Sequence, residues 1–500
     1  MLATYPAMFL LLPLLLHVLV SGPSLVVCAA ADAELQYTVV ATSTLKPGAA
    51  CLGHRVTPPA NVSWVPLDFQ HGPCSSSDSN AAAAAGVQPS LVDLLHQDQL
   101  RADDVQRRLQ SPNSTYDESK GQAGTSGETD TSYQAKVRAQ WGSRKRNRPT
   151  NEKQQGSQVS IDPAATSGDG GLLPGVIQTV VLDTASDVAW VQCVPCPVPP
   201  CHPQTDTFYD PTNSGTYAAF PCNSPACRQL GPYANGCINN QCQYRVTYPD
   251  GSSTSGTYSS DLLTLNPTTR VSNFQFGCSH VDQGNFDTQT AGIMALGGGP
   301  ESLASQTAAT YGSVFAYCLP PTASYLGFFV LGAPRVAASR FVVTPMLRDP
   351  RVPTFYRVLL RDIVVAGQRL NVAPAVFAAG SVLDSRTAIT RLPPTAYQAL
   401  RAAFRSRMST YRMAAPKGIL DTCYDFTGVR SVKVPRIALV FDRNAAVELD
   451  PSGILFNGCL AFAANADDRM AGILGNVQQQ TIEVVYDVGG GAVGFRRNAC

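Results

Sequence analysis

The chain has 500 residues, of which 44% are hydrophobic and 15% are charged. This is enough apolar sequence for a large core and enough length for more than one domain. The 37 basic and 36 acidic side chains leave a formal net charge of +1, which excludes a general attraction to polyanions and predicts no nucleic-acid partner.

The first 31 residues have the pattern of a signal peptide. An apolar run at 9–20, interrupted by His17, is too short to span a bilayer, and small residues follow at 29–31. No Lys or Arg precedes the run, so an uncleaved anchor is an alternative. We predict removal of residues 1–31, no membrane association afterwards, and secretion to the extracellular space, with vacuole or plastid as other destinations.

Residues 32–170 differ in composition from the rest of the chain. A helix is predicted from Pro89 to Leu109, where leucines recur partly at helical spacing. The tract at 111–169 is rich in Ser, Gly, Gln, Lys and Arg and poor in aliphatic residues, which predicts a flexible linker. Its basic run at 144–146 is either a processing site or a solvated charge run. Acceptors for N-glycosylation at Asn61 and Asn113 agree with export.

From residue 172 onward the sequence is typical of β structure. Short runs rich in Val, Ile, Tyr, Phe and Thr alternate with Gly, Pro, Asn and Asp. One further helix is indicated after Pro393, because Tyr397, Leu400 and Phe404 follow at spacings of three and four residues.

Twelve cysteines lie between Cys193 and Cys500, an even number that can pair fully. In an exported protein they predict a disulfide framework, whose connectivity the sequence does not give. The close spacing of the cysteines at 193–242 also resembles a zinc site. The body has only His202 and His280, and exported thiolates are normally oxidised, so we favour disulfides and predict no metal and no cofactor.

The strongest organisational feature is an internal repeat. The sequence Val-Leu-Asp-Thr-Ala-Ser at 181–186 is echoed by Val-Leu-Asp-Ser-Arg-Thr at 382–387. An apolar segment with small residues follows each copy, at 291–297 and at 471–475. The repeat predicts two similar lobes that face each other across a cleft.

Asp183 and Asp384 occupy matching positions in the two copies. A single Asp at the end of a strand is usually a turn or a cap, but two in register predict a pair of carboxylates that meet across the cleft. At about 3 Å apart such groups cannot both ionise, so they share one proton. The ionised member can then activate water while the protonated member polarises a substrate carbonyl.

On these motifs residues 180–500 resemble the nepenthesin-like and nucellin-like plant members of the pepsin-type aspartic proteases. The family's first motif, Asp-Thr-Gly-Ser, is similar to Asp-Thr-Ala-Ser at 183–186, and its flap is similar to Tyr-Pro-Asp-Gly-Ser at 248–252. The Cys-rich insert at 193–242 and the sequence Gly-Asn-Val-Gln-Gln-Gln at 475–480 also resemble the plant subgroup.

The resemblance implies a mostly β, bilobal pepsin-like fold with two similar lobes around a central cleft. We expect a signal peptide (1–31), a propeptide and linker (32–170), an N-terminal lobe with the first Asp and the Cys-rich insert (171–338), and a C-terminal lobe with the second Asp (339–500). The segment 56–109, with its sequence from Asp98 to Asp103, resembles the subgroup's inhibitory propeptide.

The implied activity is that of an aspartic endopeptidase, made as a monomeric secreted zymogen. Its partners are a polypeptide substrate and its own propeptide, which occupies the cleft until acidification. The implied site consists of the catalytic Asp183 and Asp384 and of the substrate-binding residues Tyr248, Thr184, Ser186, Ser385 and Thr387, with Tyr248 closing over the substrate.

Several positions depart from the family's pattern. Arg386 and Ala185 replace the glycines of the two motifs, and Pro249 replaces a flap glycine and removes an N–H donor. The motif glycine lets the backbone approach the facing loop, and a guanidinium in its place favours ionisation of both carboxylates. The strand and Gly-Thr-Pro loop that the family places before its first motif are not recognisable at 170–178, which predicts an incomplete start of the first lobe.

Arg386 separates two functions. The first is an acid-acting endopeptidase, and the second is a catalytically impaired binding or inhibitory protein on the same scaffold, as in plant xylanase inhibitors. We favour the enzyme because both Asp residues are retained. Glycines at 489, 491 and 494 match a dinucleotide motif but leave too little chain for it, so they predict a hairpin turn. His202 and His280 lack the context of a nucleophilic triad.

Overall fold

The computed structural model describes ten stretches of the chain, at 36–42, 64–68, 91–110, 134–143, 175–196, 201–284, 286, 290–321, 327–333 and 337–500. The predicted signal peptide, both glycosylation acceptors and the basic run at 144–146 lie outside the described residues.

Strands dominate the described residues. Those before residue 338 are β1 (Tyr37–Ala41), β2 (Trp64–Asp68), β3 (Lys136–Trp141), β4 (Val176–Asp183), β5 (Trp190–Gln192), β6 (Ala218–Ala219), β7 (Ala234–Ile238), β8 (Gln241–Thr247), β9 (Ser253–Asn266), β10 (Thr269–Gln283), β11 (Gly292–Ala295), β12 (Val314–Cys318) and β13 (Gly327–Leu331).

Seventeen strands follow residue 338. They are β14 (Val342–Pro345), β15 (Arg357–Val358), β16 (Leu360–Val365), β17 (Gln368–Arg369), β18 (Ser381–Leu383), β19 (Thr390–Leu392), β20 (Arg412–Ala414), β21 (Cys423–Asp425), β22 (Ser431–Pro435), β23 (Ile437–Phe441), β24 (Ala445–Glu448), β25 (Leu455–Phe456), β26 (Cys459–Leu460), β27 (Phe462–Ala464), β28 (Gly472–Leu474), β29 (Glu483–Asp487) and β30 (Ala492–Arg496).

The α-helices of the described residues are few and mostly short. They are α1 (Leu91–Gln110), α2 (Pro225–Gln229), α3 (Leu303–Gln306), α4 (Ala308–Tyr311), α5 (Pro394–Arg407) and α6 (Asn476–Gln479). Helix α5 confirms the helix predicted after Pro393, with Tyr397, Leu400 and Phe404 buried on one face. No helix in the described part of the chain is long and apolar enough to cross a membrane.

A large sheet carries the first lobe and joins it to the second. Its strand order is β14-β30-β29-β12-β13-β2-β3-β4-β11-β5-β10-β9-β8-β7, with β6 on β9. The second lobe adds the sheets β15-β18-β28-β19-β27, β17-β16-β23-β24 and β20-β21-β26-β25. The mostly β, bilobal fold predicted from the sequence is confirmed.

The internal repeat corresponds to one strand arrangement built twice. In the first lobe β11 pairs parallel with β4 and antiparallel with β5. In the second lobe β28 pairs parallel with β18 and antiparallel with β19. Strand β4 from Gln178 onward and the whole of β18 are buried, as is typical of strands covered on both faces. Each of them leads directly into one of the two Asp-bearing loops.

The segment predicted to be a flexible linker contains a strand of the first lobe. Strand β3 pairs antiparallel with β4 over its whole length, and Trp141 at its end is buried. The flexibility predicted for 111–169 is therefore wrong at 134–143, and the predicted boundary at 170 leaves β3 on the propeptide side. The incomplete start predicted for the first lobe is also wrong, because β2 and β3 occupy that edge. Pairing with an already buried strand outweighs the polar composition around it.

All twelve cysteines from Cys193 onward are paired. The disulfides are Cys193–Cys278, Cys196–Cys201, Cys222–Cys237, Cys227–Cys242, Cys318–Cys500 and Cys423–Cys459. The predicted disulfide framework is confirmed, and no thiolate in the 193–242 cluster is left to bind zinc. The glycines at 489, 491 and 494 belong to the β29–β30 hairpin, as predicted.

Helix α1 packs against both lobes. Its buried residues share one face because they recur every three or four positions: Leu95, Asp98, Ala102, Val105 and Gln106. Ala102 and Val105 pack in one cluster with Ala185 of the first lobe and Ile473 of the second. The helix predicted at Pro89–Leu109 is thus confirmed from Leu91 onward, and it lies across the groove between the lobes.

Candidate active site

Asp183 and Asp384 lie in equivalent, fully buried loops, and both have an exposed fraction of 0%. The amide of Ala185 donates to Asp183 Oδ1 at 2.9 Å, and the Ser186 hydroxyl donates to its Oδ2 at 2.7 Å. Asp384 repeats this pattern, with the amide of Arg386 at 3.0 Å and the Thr387 hydroxyl at 2.7 Å. Two backbone and two hydroxyl donors therefore hold the carboxylates in symmetric orientations.

The hydroxyls of Thr184 and Ser385 join the two loops. Thr184 Oγ1 donates to the carbonyl of Leu383 at 3.1 Å and accepts from the amide of Ser385 at 3.0 Å. Ser385 Oγ donates to the carbonyl of Leu182 at 2.9 Å and accepts from the amide of Thr184 at 3.2 Å. These reciprocal bonds fix the distance between the lobes at the base of the cleft.

We expect Thr184→Val to lower the free energy of unfolding by about 1–3 kcal/mol, because it leaves one buried carbonyl and one buried amide without a partner. Chemical denaturation with intact disulfides measures the change. The exposed Thr427→Val is the matched control and should stay within about 0.5 kcal/mol of wild type. A change no larger than that of Thr427→Val would show that the Thr184 hydroxyl does not stabilise the joined loops.

The side chain of Arg101 on α1 fills the space between the two carboxylates. Its Nη2 lies 2.7 Å from Asp183 Oδ1 and 2.8 Å from Asp384 Oδ1, and its Nε donates to Asp384 Oδ2 at 2.9 Å. One nitrogen contacts both carboxylates, so the carboxylates are direct neighbours across the cleft. The residues on which the predicted catalysis depends are therefore brought together, and a cation covers them.

Further polar residues of α1 bind the walls of the cleft. Gln106 Nε2 donates to the carbonyl of Ala471 at 2.6 Å. Arg108 Nη1 donates to the carbonyl of Ala185 at 2.9 Å, and its guanidinium lies 4.6 Å from the ring centre of Phe355. The cleft thus binds this helix through specific polar contacts as well as through apolar burial.

The guanidinium of Arg386 also reaches the pair. Its Nη1 lies 3.1 Å from Asp183 Oδ2, while its Nε is buried without a hydrogen-bond partner. Neither Arg386 nor Ala185 has a positive φ, so the backbone at these two positions tolerates a side chain. The loop therefore keeps its geometry with Arg386 in place of the family's glycine. The guanidinium, which is expected to favour ionisation of both carboxylates, contacts Asp183.

Charge controls the ionisation of Asp183. Burial by itself raises the pKa of this carboxyl, but the guanidinium groups of Arg101 and Arg386 outweigh burial and hold the pKa well below its usual value of 3.8. In this arrangement Asp183 is ionised.

Comparison with known proteins places these features in a family. Residues 173–333 match the family described as xylanase inhibitor N-terminal, and residues 355–497 match xylanase inhibitor C-terminal. An aspartyl protease family protein of Arabidopsis thaliana is 40% identical over 331 residues, covering 64% of this chain and 69% of that protein. The aspartic proteinase nepenthesin-2 of Nepenthes gracilis is 31% identical over 399 residues, covering 75% and 88%.

The chain belongs to the nepenthesin-like plant branch of the pepsin-type aspartic proteases. Two solved structures agree with this fold. Conglutin gamma, a basic 7S globulin from lupine seeds, has a TM-score of 0.52 at 21% identity and covers 65% of this chain and 88% of its own. Basic 7S globulin from soybean has a TM-score of 0.53 at 19% identity and covers 73% and 90%.

In this aspartic protease relative the predicted flap is the turn between β8 and β9. Tyr248 closes it with two backbone hydrogen bonds, one to Ser252 and one from Gly251. Its hydroxyl accepts from Trp190 Nε1 at 2.7 Å, and the Arg386 guanidinium lies 5.6 Å from its ring centre. Tyr248 therefore lies at the edge of the carboxylate site, where its predicted closure over a substrate stays a prediction.

The other predicted substrate-binding residues of this family member have protein partners. The hydroxyls of Thr184 and Ser385 bind the facing loop, and those of Ser186 and Thr387 bind the carboxylates. Their role towards a substrate stays a prediction. The sequence did not predict the contact of Arg101 with both carboxylates, although the propeptide-like motif contains this residue. The shared helical face of Asp98, Arg101 and Arg108 is the signal that could have found it.

Proposed function

We propose that this protein is a secreted aspartic endopeptidase whose catalytic pair is Asp183 and Asp384 and whose zymogen form is closed by α1. The observation that carries the proposal is the symmetric pair of buried carboxylates with one Arg101 nitrogen in contact with both. A polypeptide substrate would bind in the groove that α1 occupies. Six disulfides support an oxidising destination such as the extracellular space.

The proposed reaction begins once Arg101 has left the pair. Arg386 beside Asp183 favours its ionised form, so Asp183 is the member that takes a proton from the attacking water. Asp384 is then the member that carries the shared proton and donates it towards the substrate carbonyl oxygen. The water oxygen bonds to the carbonyl carbon to give a tetrahedral diol. Asp183 then passes the proton it took to the leaving nitrogen, the C–N bond breaks, and a hydroxyl of the diol returns a proton to Asp384. No covalent enzyme intermediate forms.

In the proposed zymogen α1 inhibits by occupying the catalytic groups. The Arg101 cation contacts both carboxylates, and the apolar face of the helix fills the groove. Any water or substrate carbonyl would have to displace this side chain. Inhibition therefore depends on the ion pair between Arg101 and ionised Asp183. Acid that protonates Asp183 weakens this ion pair.

A second candidate is a binding or inhibitory protein on the same scaffold. The ion pair between Arg386 and Asp183 favours it, since a fixed cation opposes a proton shared between the carboxylates. The match to domains described as xylanase inhibitor supports the same alternative. Both carboxylates with their complete donor sets favour the enzyme, because a pure binding surface does not require them.

The test uses the purified full-length proprotein, incubated at pH 3 to 5 and at pH 7. We expect removal of its N-terminal segment and cleavage of a denatured protein at acid pH, both blocked by pepstatin. Asp183→Asn and Asp384→Asn should each abolish both reactions in protein that still unfolds in one cooperative thermal transition. Proteolysis that persists in Asp183→Asn would show that the proposed pair is not the catalyst.

A further inference from the structure

Arg391 is a buried cation whose carboxylate partner comes from α1. It lies on β19 with an exposed side-chain fraction of 1%, and its Nη2 lies 2.9 Å from Asp98 Oδ2. Its Nη1 donates to the carbonyl of Ile389 at 2.7 Å, and its Nε has no partner. Within the described part of the chain, Asp98 is the one carboxylate that forms an ion pair with Arg391.

Two backbone amides point at the same carboxylate. The amide of Ala388 donates to Asp98 Oδ1, and the amide of Ile389 donates to Asp98 Oδ2 at 3.2 Å. With the guanidinium they form a carboxylate-binding site of three donors, all of which belong to the second lobe. Converging backbone amides and a fork of guanidinium N–H groups are the donors that proteins use for anions.

The repeat shows that an arginine is not required at this position by the fold. In the first lobe Trp190 pairs antiparallel with Ile293, and in the second lobe Arg391 pairs in the same way with Ile473. Trp190 is an ordinary buried side chain of the first lobe's core, whose indole N–H binds Tyr248. A charged group at the equivalent place costs free energy unless an anion pairs with it.

We propose that, once α1 leaves, the site formed by Arg391 and the amides of Ala388 and Ile389 binds a carboxylate of the substrate. This inference rests on the proposed function and adds that the same cleft prefers substrates with a carboxylate at this position. Release of α1 takes Asp98 away and leaves the guanidinium without its counter-charge. An Asp or Glu side chain, or the carboxylate at a peptide's C-terminus, restores the lost ion pair.

The position of the site predicts where the acidic residue lies in the substrate. Asp98 precedes Arg101 by three residues, which is about 4.5 Å along a helix. An extended peptide rises by about 3.3 Å per residue. The carboxylate should therefore belong to a residue one or two positions from the bond that Asp183 and Asp384 cleave.

Binding of labelled peptides tests the inference without requiring turnover. The full-length chain with Arg101→Gln and Asp98→Asn, in which α1 is displaced, is mixed with amidated peptides that carry Glu or Gln one or two positions from the central bond, on either side. Binding is measured at about pH 6, where a Glu carboxyl is ionised, and we expect Glu to bind about 10-fold to 100-fold more tightly than Gln in one register. Shorter peptides that end at the position of the Glu or Gln are tested with a free C-terminal carboxylate and with a C-terminal amide. This comparison distinguishes binding of a C-terminal carboxylate from binding of a side chain.

Arg391→Met should abolish the Glu preference, whereas Arg407→Met, on α5 of the same lobe, should keep it. Equal binding of Glu and Gln peptides, or a preference that survives Arg391→Met, overturns the site. If Arg391→Met lowers the melting temperature so far that binding cannot be measured, Arg391→Lys replaces it. The comparison of Glu and Gln peptides on protein that keeps Arg391 then decides whether the site binds a carboxylate. Cleavage without a Glu preference refutes this site alone, and a Glu preference without cleavage refutes the proposed proteolysis alone.

Discussion

Replacing Arg101 by Gln is expected to release α1 from the cleft of the full-length protein at pH 7. The substitution leaves two buried carboxylates without the cation that contacts both of them. Breaking a buried ion pair by removing one partner costs about 3–5 kcal/mol. The fraction of molecules with a displaced helix should rise between about 100-fold and several thousand-fold, which hydrogen exchange of residues 91–110 measures.

Arg107→Gln is the matched control for this experiment. It is the same change on the same helix, but the Arg107 side chain is 40% exposed and pairs with Asp104 at 2.7 Å on the helix surface. Exposed pairs of this kind contribute less than about 1 kcal/mol, so exchange should change by less than about fivefold. If both variants exchange alike, Arg101 does not hold the helix in the cleft.

Arg386→Gly is expected to raise the rate of peptide hydrolysis at pH 3 to 5 by about 10-fold to 100-fold. The Arg386 guanidinium lies 3.1 Å from Asp183 and opposes protonation of the pair. A charge-assisted hydrogen bond of this kind is worth about 1.5–3 kcal/mol, and its loss lets the two carboxylates share a proton more readily. The measurement is kcat/KM on a quenched peptide after acid activation.

The internal repeat supplies the control for Arg386→Gly. Ala185→Gly restores a glycine at the equivalent place in the other loop and makes a similar backbone change without altering charge. Its rate should stay near that of wild type. A loss of activity in Arg386→Gly, or an equal gain in both variants, would show that the cation at 386 does not limit catalysis.

The sequence predicts the fold and the carboxylate pair well because both depend on local patterns that occur twice. Apolar strands ending in Asp183 and Asp384 fix two equivalent loops, and the structure confirms the two-lobed arrangement. Strand β3 escaped prediction because its six residues lie in a polar tract. Its stability comes from long-range pairing with β4, which composition does not reveal.

The contacts of α1 could not be predicted from the sequence, because they too join residues that are far apart in the chain. Arg101 and Asp98 lie more than 280 residues from Asp384 and Arg391 in the chain, and no local pattern links them. Only the packed structure shows that one face of the helix presents a cation to the carboxylates and an anion to Arg391. Likewise the sequence places Arg386 in the loop but does not show that it binds Asp183.

Linkage between ionisation and closure gives the direction of the pH effect. The closed form holds the pKa of Asp183 below 3.8 through Arg101 and Arg386. Arg386 stays beside Asp183 when α1 leaves, so only the part of this shift that Arg101 causes stabilises the closed form. That stabilisation is present while Asp183 is ionised in the open form and is lost progressively as acid protonates it. Burial raises the pKa of Asp98, although Arg391 and two backbone amides oppose the shift. Asp98 therefore stabilises the closed form more strongly as the pH falls, which is opposite to the effect of Asp183.

The most direct measurement is the protection of residues 91–110 against hydrogen exchange in wild type, from pH 6 to pH 3, relative to an unfolded reference at each pH. We predict strong protection at pH 6 and a progressive loss, of up to about tenfold per pH unit, as acid protonates Asp183. Arg101→Gln lacks the cation that couples this protonation to closure and should show no such loss. Protection that is unchanged by acid in wild type, or that falls equally in both proteins, would contradict closure through Arg101 and the ionised carboxylates.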